Sequence, residues 1–221
     1  MKCKIFLVLA LMFALSPLAG AQDYKMELTP FFGYTFSEGT NVNIADIPGG
    51  GTVNRITPVS SFSWGFQADV LASEMFAMGF QYASQSSKME LGLVGEPKVE
   101  ITDMKVRNYH AMFTLNLGDE YATSKPFIFL GLGATQYSPD DIQGNSVDSR
   151  SRFSTTWGGG VKWYSTDHLG VRMTARWTPT YINTDPAGYW CSPFWPGGCW
   201  IVGEANYSHQ FEFNAGLILR F

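Results

Sequence analysis

The C-terminal segment of the chain alternates apolar and polar residues without a break. Its last 11 residues, Phe211 to Phe221, have the sequence FEFNAGLILRF. A period of two places neighbouring residues on opposite faces of a β-strand. One face would carry Phe211, Phe213, Ala215, Leu217, Leu219 and Phe221, and the other Gln210, Glu212, Asn214, Gly216, Ile218 and Arg220. About 9–11 tilted residues suffice for a strand to cross a membrane, so this segment is predicted to be a spanning strand with one lipid-facing side.

The same period of two recurs in upstream segments, which gives eight predicted strands in all. The upstream segments lie near residues 25–37, 60–71, 75–86, 101–117, 125–138, 155–166 and 169–181. The connections after the second, fourth and sixth strands are short, and the others are long loops near residues 38–59, 87–100, 139–151 and 182–206. Short inner turns and long outer loops are typical of outer-membrane barrels. We therefore predict an all-β fold, an eight-stranded antiparallel up-and-down transmembrane β-barrel closed by pairing of the last strand with the first.

The polar face of these strands favours a membrane barrel over a soluble one. It is rich in Gly, Thr, Ser, Asn and Gln, whereas a soluble exterior is usually dense in Lys and Glu. Only 15% of the chain is charged and 15% is aromatic, against about 25% charged residues in ordinary soluble domains. A narrow barrel needs small inward residues and mutually paired charges. The predicted lumen plug consists of Glu27, Asp69, His110, Lys162, Arg172, Arg176, Glu212 and Arg220.

For two segments, the sequence alone does not decide which residues face the lipid. In the fourth segment the apolar face continues to Lys105 and Arg107, where a cation at the membrane midplane would cost about 2–4 kcal/mol. These two residues are expected either above the membrane or beyond a β-bulge. The fifth segment is apolar on both faces, and there we predict that the outward residues are Ile128, Leu130, Leu132 and Ala134.

The N-terminus has the pattern of a secretory signal peptide. Lys2 and Lys4 precede an apolar run, and Ala19 and Ala21 mark a small-residue cleavage site. We expect a Sec-type signal over residues 1–21 and the barrel domain over residues 22–221. Removal of the signal leaves 13 basic and 19 acidic residues, a net charge of −6, which gives no support to nucleic-acid binding.

The most distinctive loop lies just before the last strand and has the sequence YWCSPFWPGGCW. Cys191 and Cys199 are close together in an exported chain, so a disulfide is expected. Rigid aromatic side chains make good binding anchors, and the candidate binding surface is Tyr189, Trp190, Phe194, Trp195 and Trp200. Alternatively, the aromatics pack on one another or dip into the lipid boundary. If the loop binds, its partner is a host surface, another envelope protein or lipopolysaccharide.

Four stretches together resemble the small OmpA-like/OmpX-type family of outer-membrane β-barrels, over essentially the whole mature chain. They are ELTPFFGYTF, KPFIFLGLGATQYS, GGGVKWYSTDHLGVRMTARW and the terminal FEFNAGLILRF. The resemblance implies eight antiparallel strands in a Gram-negative outer membrane and, often, no assigned chemistry. It also implies an insertion signal at Asn214, Gly216, Leu219 and Phe221, read by periplasmic chaperones and the barrel-assembly machinery.

Function is expected to reside outside the lumen, because eight strands make a barrel just wide enough for its own side chains to fill. A narrow channel, or lateral diffusion of small apolar molecules, is the alternative. A lipid A-modifying enzyme is disfavoured, because Ser208 and His209 point to opposite faces, His110 has no serine at an evident spacing, and His168 lies in an inner turn. The scattered His and Cys residues show no metal-ligand spacing. We expect a monomer without metal or cofactor.

Overall fold

Strands make up all the regular structure of the described part of the chain. The computed structural model describes residues 26–38, 40–44, 53–73, 75–93, 99–118, 123–140, 149–181, 189–191, 199–201 and 207–221. No helix among these residues is long and apolar enough to cross a membrane. The strands are β1 (Met26–Ser37), β2 (Thr40–Ile44), β3 (Val53–Pro58), β4 (Ser61–Leu71), β5 (Phe76–Leu93), β6 (Val99–Asn116), β7 (Ser124–Pro139), β8 (Arg150–Tyr164), β9 (Leu169–Tyr181), β10 (Tyr189–Cys191), β11 (Cys199–Ile201) and β12 (Tyr207–Arg220).

The long strands close into a barrel. The antiparallel pairing runs β1–β4–β5–β6–β7–β8–β9–β12 and returns from β12 to β1. The seam is tied at its end by two backbone hydrogen bonds, from Phe221 N to Met26 O (2.9 Å) and from Met26 N to Phe221 O (3.0 Å). The predicted eight-stranded antiparallel barrel, including the pairing of the last strand with the first, is therefore confirmed.

Side chains alternate between lipid and lumen along each strand. In β9 every even-numbered residue from Gly170 to Thr180 is buried, as a period of two requires when one face is enclosed. The outward residues are large and apolar, with Phe32 and Phe62 exposed to 75% and 80%. In β7 Ile128 and Leu132 are exposed and Phe127 is buried, so this strand faces in the direction that the sequence predicted.

The outer ends of the strands differ from the prediction. We call outer the barrel end with the long connections. The loops predicted at residues 38–59 and 87–100 contain strand, because β2 and β3 pair with each other and β3 pairs with the extended end of β5. Backbone N–H and C=O groups of these polar stretches thus form hydrogen bonds by strand pairing above the membrane and do not rely on water alone. Strands β5 and β6, each 18 residues long, support this outer sheet.

Candidate functional site: the filled interior of the barrel

The inner end of the lumen is built around the carboxylate of Glu27. Lys162 Nζ donates to Glu27 Oε2 at 2.8 Å, while Tyr164 OH and Arg220 Nη2 donate to Glu27 Oε1 at 2.8 and 2.6 Å. Lys162 is 0% exposed and Glu27 2% exposed. A buried charge is tolerated only when it is paired and hydrogen-bonded, and both oxygens of this carboxylate are used. We call Glu27, Lys162, Tyr164 and Arg220 the inner cluster.

A second ion pair lies beside the inner cluster. Arg172 Nη1 donates to Asp69 Oδ2 at 3.3 Å, and Gln67 Nε2 donates to both carboxylate oxygens of Asp69 at 2.9 Å. The guanidinium carbon of Arg172 lies 4.3 Å from the ring centroid of Phe127, and Lys162 Nζ lies 5.7 Å from it. The negative face of the Phe127 ring attracts both cations and so partly offsets their mutual repulsion.

Aromatic rings fill the space between these polar groups. Phe127 is 1% exposed and stacks with Phe129 at a centroid separation of 6.1 Å. Both rings lie over glycines of β8: a Cβ on Gly160 would come within 2.8 Å of the Phe127 ring, and one on Gly158 within 2.6 Å of the Phe129 ring. The glycine run of β8 therefore makes room for two phenylalanines in the lumen.

A third ion pair occupies the middle of the lumen. Arg176 Nη2 donates to Glu212 Oε2, which also accepts from Thr35 Oγ1 at 3.0 Å. Asn214 Nδ2 donates to the other oxygen of Glu212 at 2.7 Å. The guanidinium of Arg176 lies 5.6 Å from the ring centroid of Phe31. The pattern of the inner end, an ion pair set against an aromatic ring, is repeated here.

Above these ion pairs lies a hydrogen-bonded network of uncharged side chains. Thr135 Oγ1 donates to Asn108 Oδ1 at 2.7 Å, and Asn108 Nδ2 donates to Gln210 Oε1 at 3.3 Å. Thr180 Oγ1 donates to Thr135 Oγ1 at 3.1 Å. All four residues are buried. The side-chain hydrogen bonds of the described lumen therefore change from ionic at the inner end to uncharged towards the outer end.

Solved structures that are similar to this one include those of three bacterial surface or outer-membrane proteins. Neisserial surface protein A shares 17% identity at a TM-score of 0.55, covering 92% of this chain and 100% of that one. OprG from Pseudomonas aeruginosa shares 12% identity at a TM-score of 0.59, covering 91% of this chain and 98% of that one. AlkL, solved in DMPC lipid bilayers, shares 13% identity at a TM-score of 0.52, covering 93% of this chain and 94% of that one. The chain has the fold of small outer-membrane β-barrels.

At these identities the shared property is the fold. No protein-family model matches the sequence, and no curated protein matches it significantly. The apolar outer belt of the barrel agrees with the fold, because it would be unstable in water and suits lipid. The sequence-based expectations of an outer-membrane barrel fold and an outer-membrane location are confirmed.

One contact in the lumen was not visible in the sequence. His110 has no serine at an evident spacing along the chain, but its Nε2 lies 2.9 Å from Ser154 Oγ. Sequence spacing could not show this, because the two residues are 44 positions apart and lie on β6 and β8. His110 Nδ1 has no hydrogen-bond partner among the described residues, and Ser154 Oγ also lies 3.0 Å from Thr135 Oγ1, within hydrogen-bond distance. The pair lacks the orienting acid of a catalytic triad and belongs to the neutral network.

The other histidines lie where the sequence placed them. Ser208 is buried while His209 is only partly buried, so their side chains point to opposite faces. His209 packs outward between Trp177 and Tyr207, at centroid distances of 5.6 and 6.4 Å. His168 lies in an inner turn, its Nδ1 3.1 Å from Arg220 O. Within the described ranges, no group of three or more His, Cys, Asp or Glu side chains could hold a metal ion.

Only some of the other predicted site residues lie in the part of the chain that the structure describes. Asn214 faces the lumen, while Phe221 is 71% exposed at the inner end. The predicted signal peptide with Ala19 and Ala21, and Phe194 and Trp195, lie outside the described residues. Backbone is described for β10 and β11, in which Tyr189 lies opposite Ile201, Trp190 opposite Trp200, and Cys191 opposite Cys199.

Proposed function

We propose that this protein is a closed outer-membrane barrel with a structural or surface-binding role, and that it is not an enzyme. The observation that carries the proposal is the occupied inner lumen. Glu27 joins β1 to Lys162 of β8 and Arg220 of β12, and the ring of Phe127 fills the adjoining space from β7. An interior held together by ion pairs and aromatic packing favours a stable plug over a pore.

The alternative of a channel or lateral transporter has less support. Its sequence basis was the apolar character of both faces of the fifth strand. In the structure the inward apolar residues Phe127 and Phe129 form a buried cluster with Met112. Their burial explains the apolar inner face of β7 by core packing, without a transported solute.

The outer surface offers a raised platform for interaction. Strands β5 and β6 have 18 residues each, about twice the 9–11 that cross a membrane. At ~3.3 Å per residue and a tilt of about 40°, the last seven or so residues of β5 and the first seven or so of β6 would project roughly 15–20 Å above the lipid. The hairpin of β10 and β11 lies beside this platform, since β11 neighbours β2.

We assign the surface-binding role to this hairpin and its aromatic residues. Directly opposed residues of an antiparallel pair have Cα atoms about 4.5–5.5 Å apart, within the range that a disulfide spans. The opposition of Cys191 and Cys199 thus supports the expected disulfide. A clipped hairpin would present its tryptophans with little loss of conformational entropy on binding. The partner class is an extracellular or envelope protein, or lipopolysaccharide.

Site-specific photocrosslinking in intact cells tests this role. A photoreactive amino acid at position 200 is expected to give specific adducts with a surface partner. The matched position is Asp167, which lies in an inner turn and should give none of these adducts. Reduction of the expected disulfide, or replacement of Cys191 and Cys199 by serine, should weaken the adducts. Identical adduct patterns at positions 200 and 167, or no adduct at position 200, would overturn the proposal.

A further inference from the structure

The lipid-facing side of the barrel becomes polar and cationic on three adjacent strands. On β6 the next two outward residues beyond Tyr109 are Arg107 and Lys105. Each cation has a cross-strand neighbour on both sides, in the rows Ser84–Arg107–Gln136 and Ser86–Lys105–Ser138. We call these six residues the outer-rim patch.

Strand pairing fixes the outward direction of both cations. The sequence allowed either a position above the membrane or a bulge that turned the cations elsewhere. Pairing of β5 with β6 is unbroken from Phe76–Leu115 to Met89–Thr102, and pairing of β6 with β7 from Asn116–Phe127 to Met104–Pro139. Without a bulge in this stretch, Lys105 and Arg107 share the outward face of Tyr109.

The patch lies at the level of the outer-leaflet headgroups. On β6 the outward apolar residues run from Leu117 to Tyr109, and Arg107 follows them. At ~3.3 Å per residue and a tilt of about 40°, the rise from Leu117 to Arg107 is roughly 25 Å, which is the height of the apolar band of such barrels. A cation at that level costs about 0–1 kcal/mol, in contrast to one at the midplane.

The two cations are poorly satisfied by the protein itself. Lys105 Nζ lies 3.7 Å from Asp140 Oδ1, with the two side chains 49% and 52% exposed. Such a surface pair contributes little. Arg107 has no ion-pair or side-chain hydrogen-bond partner within the described residues. Its guanidinium donors are therefore available to an external acceptor.

The opposite wall of the barrel shows that the patch is a local feature. At the outer ends of β9 and β12 the outward residues are aromatic. Tyr181 contacts Tyr207 at a centroid distance of 5.6 Å, and Trp177 stacks with Phe211 at 6.2 Å. Aromatic rings suit any lipid interface, whereas arginine and lysine beside hydroxyl and amide groups suit a phosphate.

We propose that the outer-rim patch binds a phosphate group of an outer-leaflet glycolipid, the phosphorylated sugar headgroup of lipopolysaccharide. Arg107 supplies the planar donor pair that matches phosphate oxygens, and Lys105 supplies a second positive charge. One row further out, Asp103 lies between Lys88 and Asp140. That row carries two carboxylates and one cation, so the phosphate is placed at the level of Arg107, beside two cations. This site lies on the barrel wall, independent of the β10–β11 hairpin and of the state of the lumen.

Glycolipid retention by the purified full-length barrel tests the proposal. The wild-type barrel in detergent is incubated with lipopolysaccharide, and bound glycolipid is counted by native mass spectrometry. The double variant Lys105→Gln/Arg107→Gln is expected to retain at least tenfold less. Arg150→Gln, which removes an exposed arginine at the outer end of β8, should retain as much as wild type. Inorganic phosphate at millimolar concentration should not displace the glycolipid, because the sugar and acyl chains also contact the barrel.

Two further measurements decide the question even if the double variant does not insert into detergent micelles as a folded barrel. Wild-type barrel should retain enzymatically dephosphorylated lipopolysaccharide no better than the double variant retains the intact form. Arg107→Lys, which keeps the charge but loses the planar fork, should show an intermediate loss. Equal retention of phosphorylated and dephosphorylated lipopolysaccharide by wild type, or undiminished retention by a folded double variant, would overturn the proposal.

Discussion

Replacing Glu27 by glutamine is expected to lower the free energy of unfolding of the barrel by about 3–5 kcal/mol. The substitution keeps the size of the side chain but leaves Lys162, which is 0% exposed, without its carboxylate. Arg220 also loses its ion-pair partner, from which its Nη2 lies 2.6 Å away in the native structure. Removing one member of a buried ion pair is more costly than a surface change, because the remaining charge stays out of water.

Urea unfolding in detergent, followed by the shift in gel migration between folded and unfolded barrel, measures this effect. Glu38→Gln is the matched control, because Glu38 is exposed just beyond β1. Its effect should stay within about 0.5 kcal/mol. If Glu27→Gln and Glu38→Gln unfold at the same urea concentration, the inner cluster does not stabilise the barrel.

Replacing Phe127 by alanine is expected to have an effect of similar size, about 3–5 kcal/mol. The change removes a fully enclosed ring and leaves a cavity between Arg172 and Phe129. It also removes the ring face that lies 4.3 Å from the guanidinium carbon of Arg172. The rigid barrel wall limits how far the neighbours can close the gap.

The adjacent residue provides the control for this prediction. Ile128 belongs to the same strand but is 51% exposed on the lipid side. Lipid chains can fill the space that Ile128→Ala leaves, so the same unfolding measurement should show a clearly smaller loss. Equal losses for Phe127→Ala and Ile128→Ala would show that the lumen at β7 is loosely packed.

The strands of the barrel wall could be predicted from the sequence because lipid and lumen impose opposite demands on alternate residues. The segment Leu169–Tyr181 shows this best, with predicted and observed bounds that agree. The outer sheet could not be predicted in this way. Above the membrane Lys88 and Glu90 fall on the face of β5 that carries Phe76, Met78 and Phe80 in the lipid. The apolar lipid-facing side therefore ends there, and a loop was predicted where the strand continues.

The interior residues could be named from the sequence, but their partners could not. Lys162 and Glu27 are 135 positions apart, and their contact depends on the stagger between strands around the closed barrel. The same holds for His110 and Ser154. Phe127 escaped attention as a lumen residue because the fifth segment is apolar on both faces, and only the burial of one face shows which rings fill the interior.

The interior of the barrel is held together by ion pairs, and we propose that its outer surface binds other molecules. Three carboxylates, Glu27, Asp69 and Glu212, pair with four cations on the lumen side of the strands. These ion pairs and the phenylalanines between them occupy the space that a solute would need. The outer rim and the outer hairpin remain as the surfaces available to other molecules.

Planar-bilayer recording on the purified, refolded full-length chain tests the closed lumen most directly. We expect a membrane current indistinguishable from that of the lipid alone, at both polarities, with insertion checked by heat-dependent gel migration of the recovered protein. Large, stable conductance steps from the wild-type barrel would contradict it.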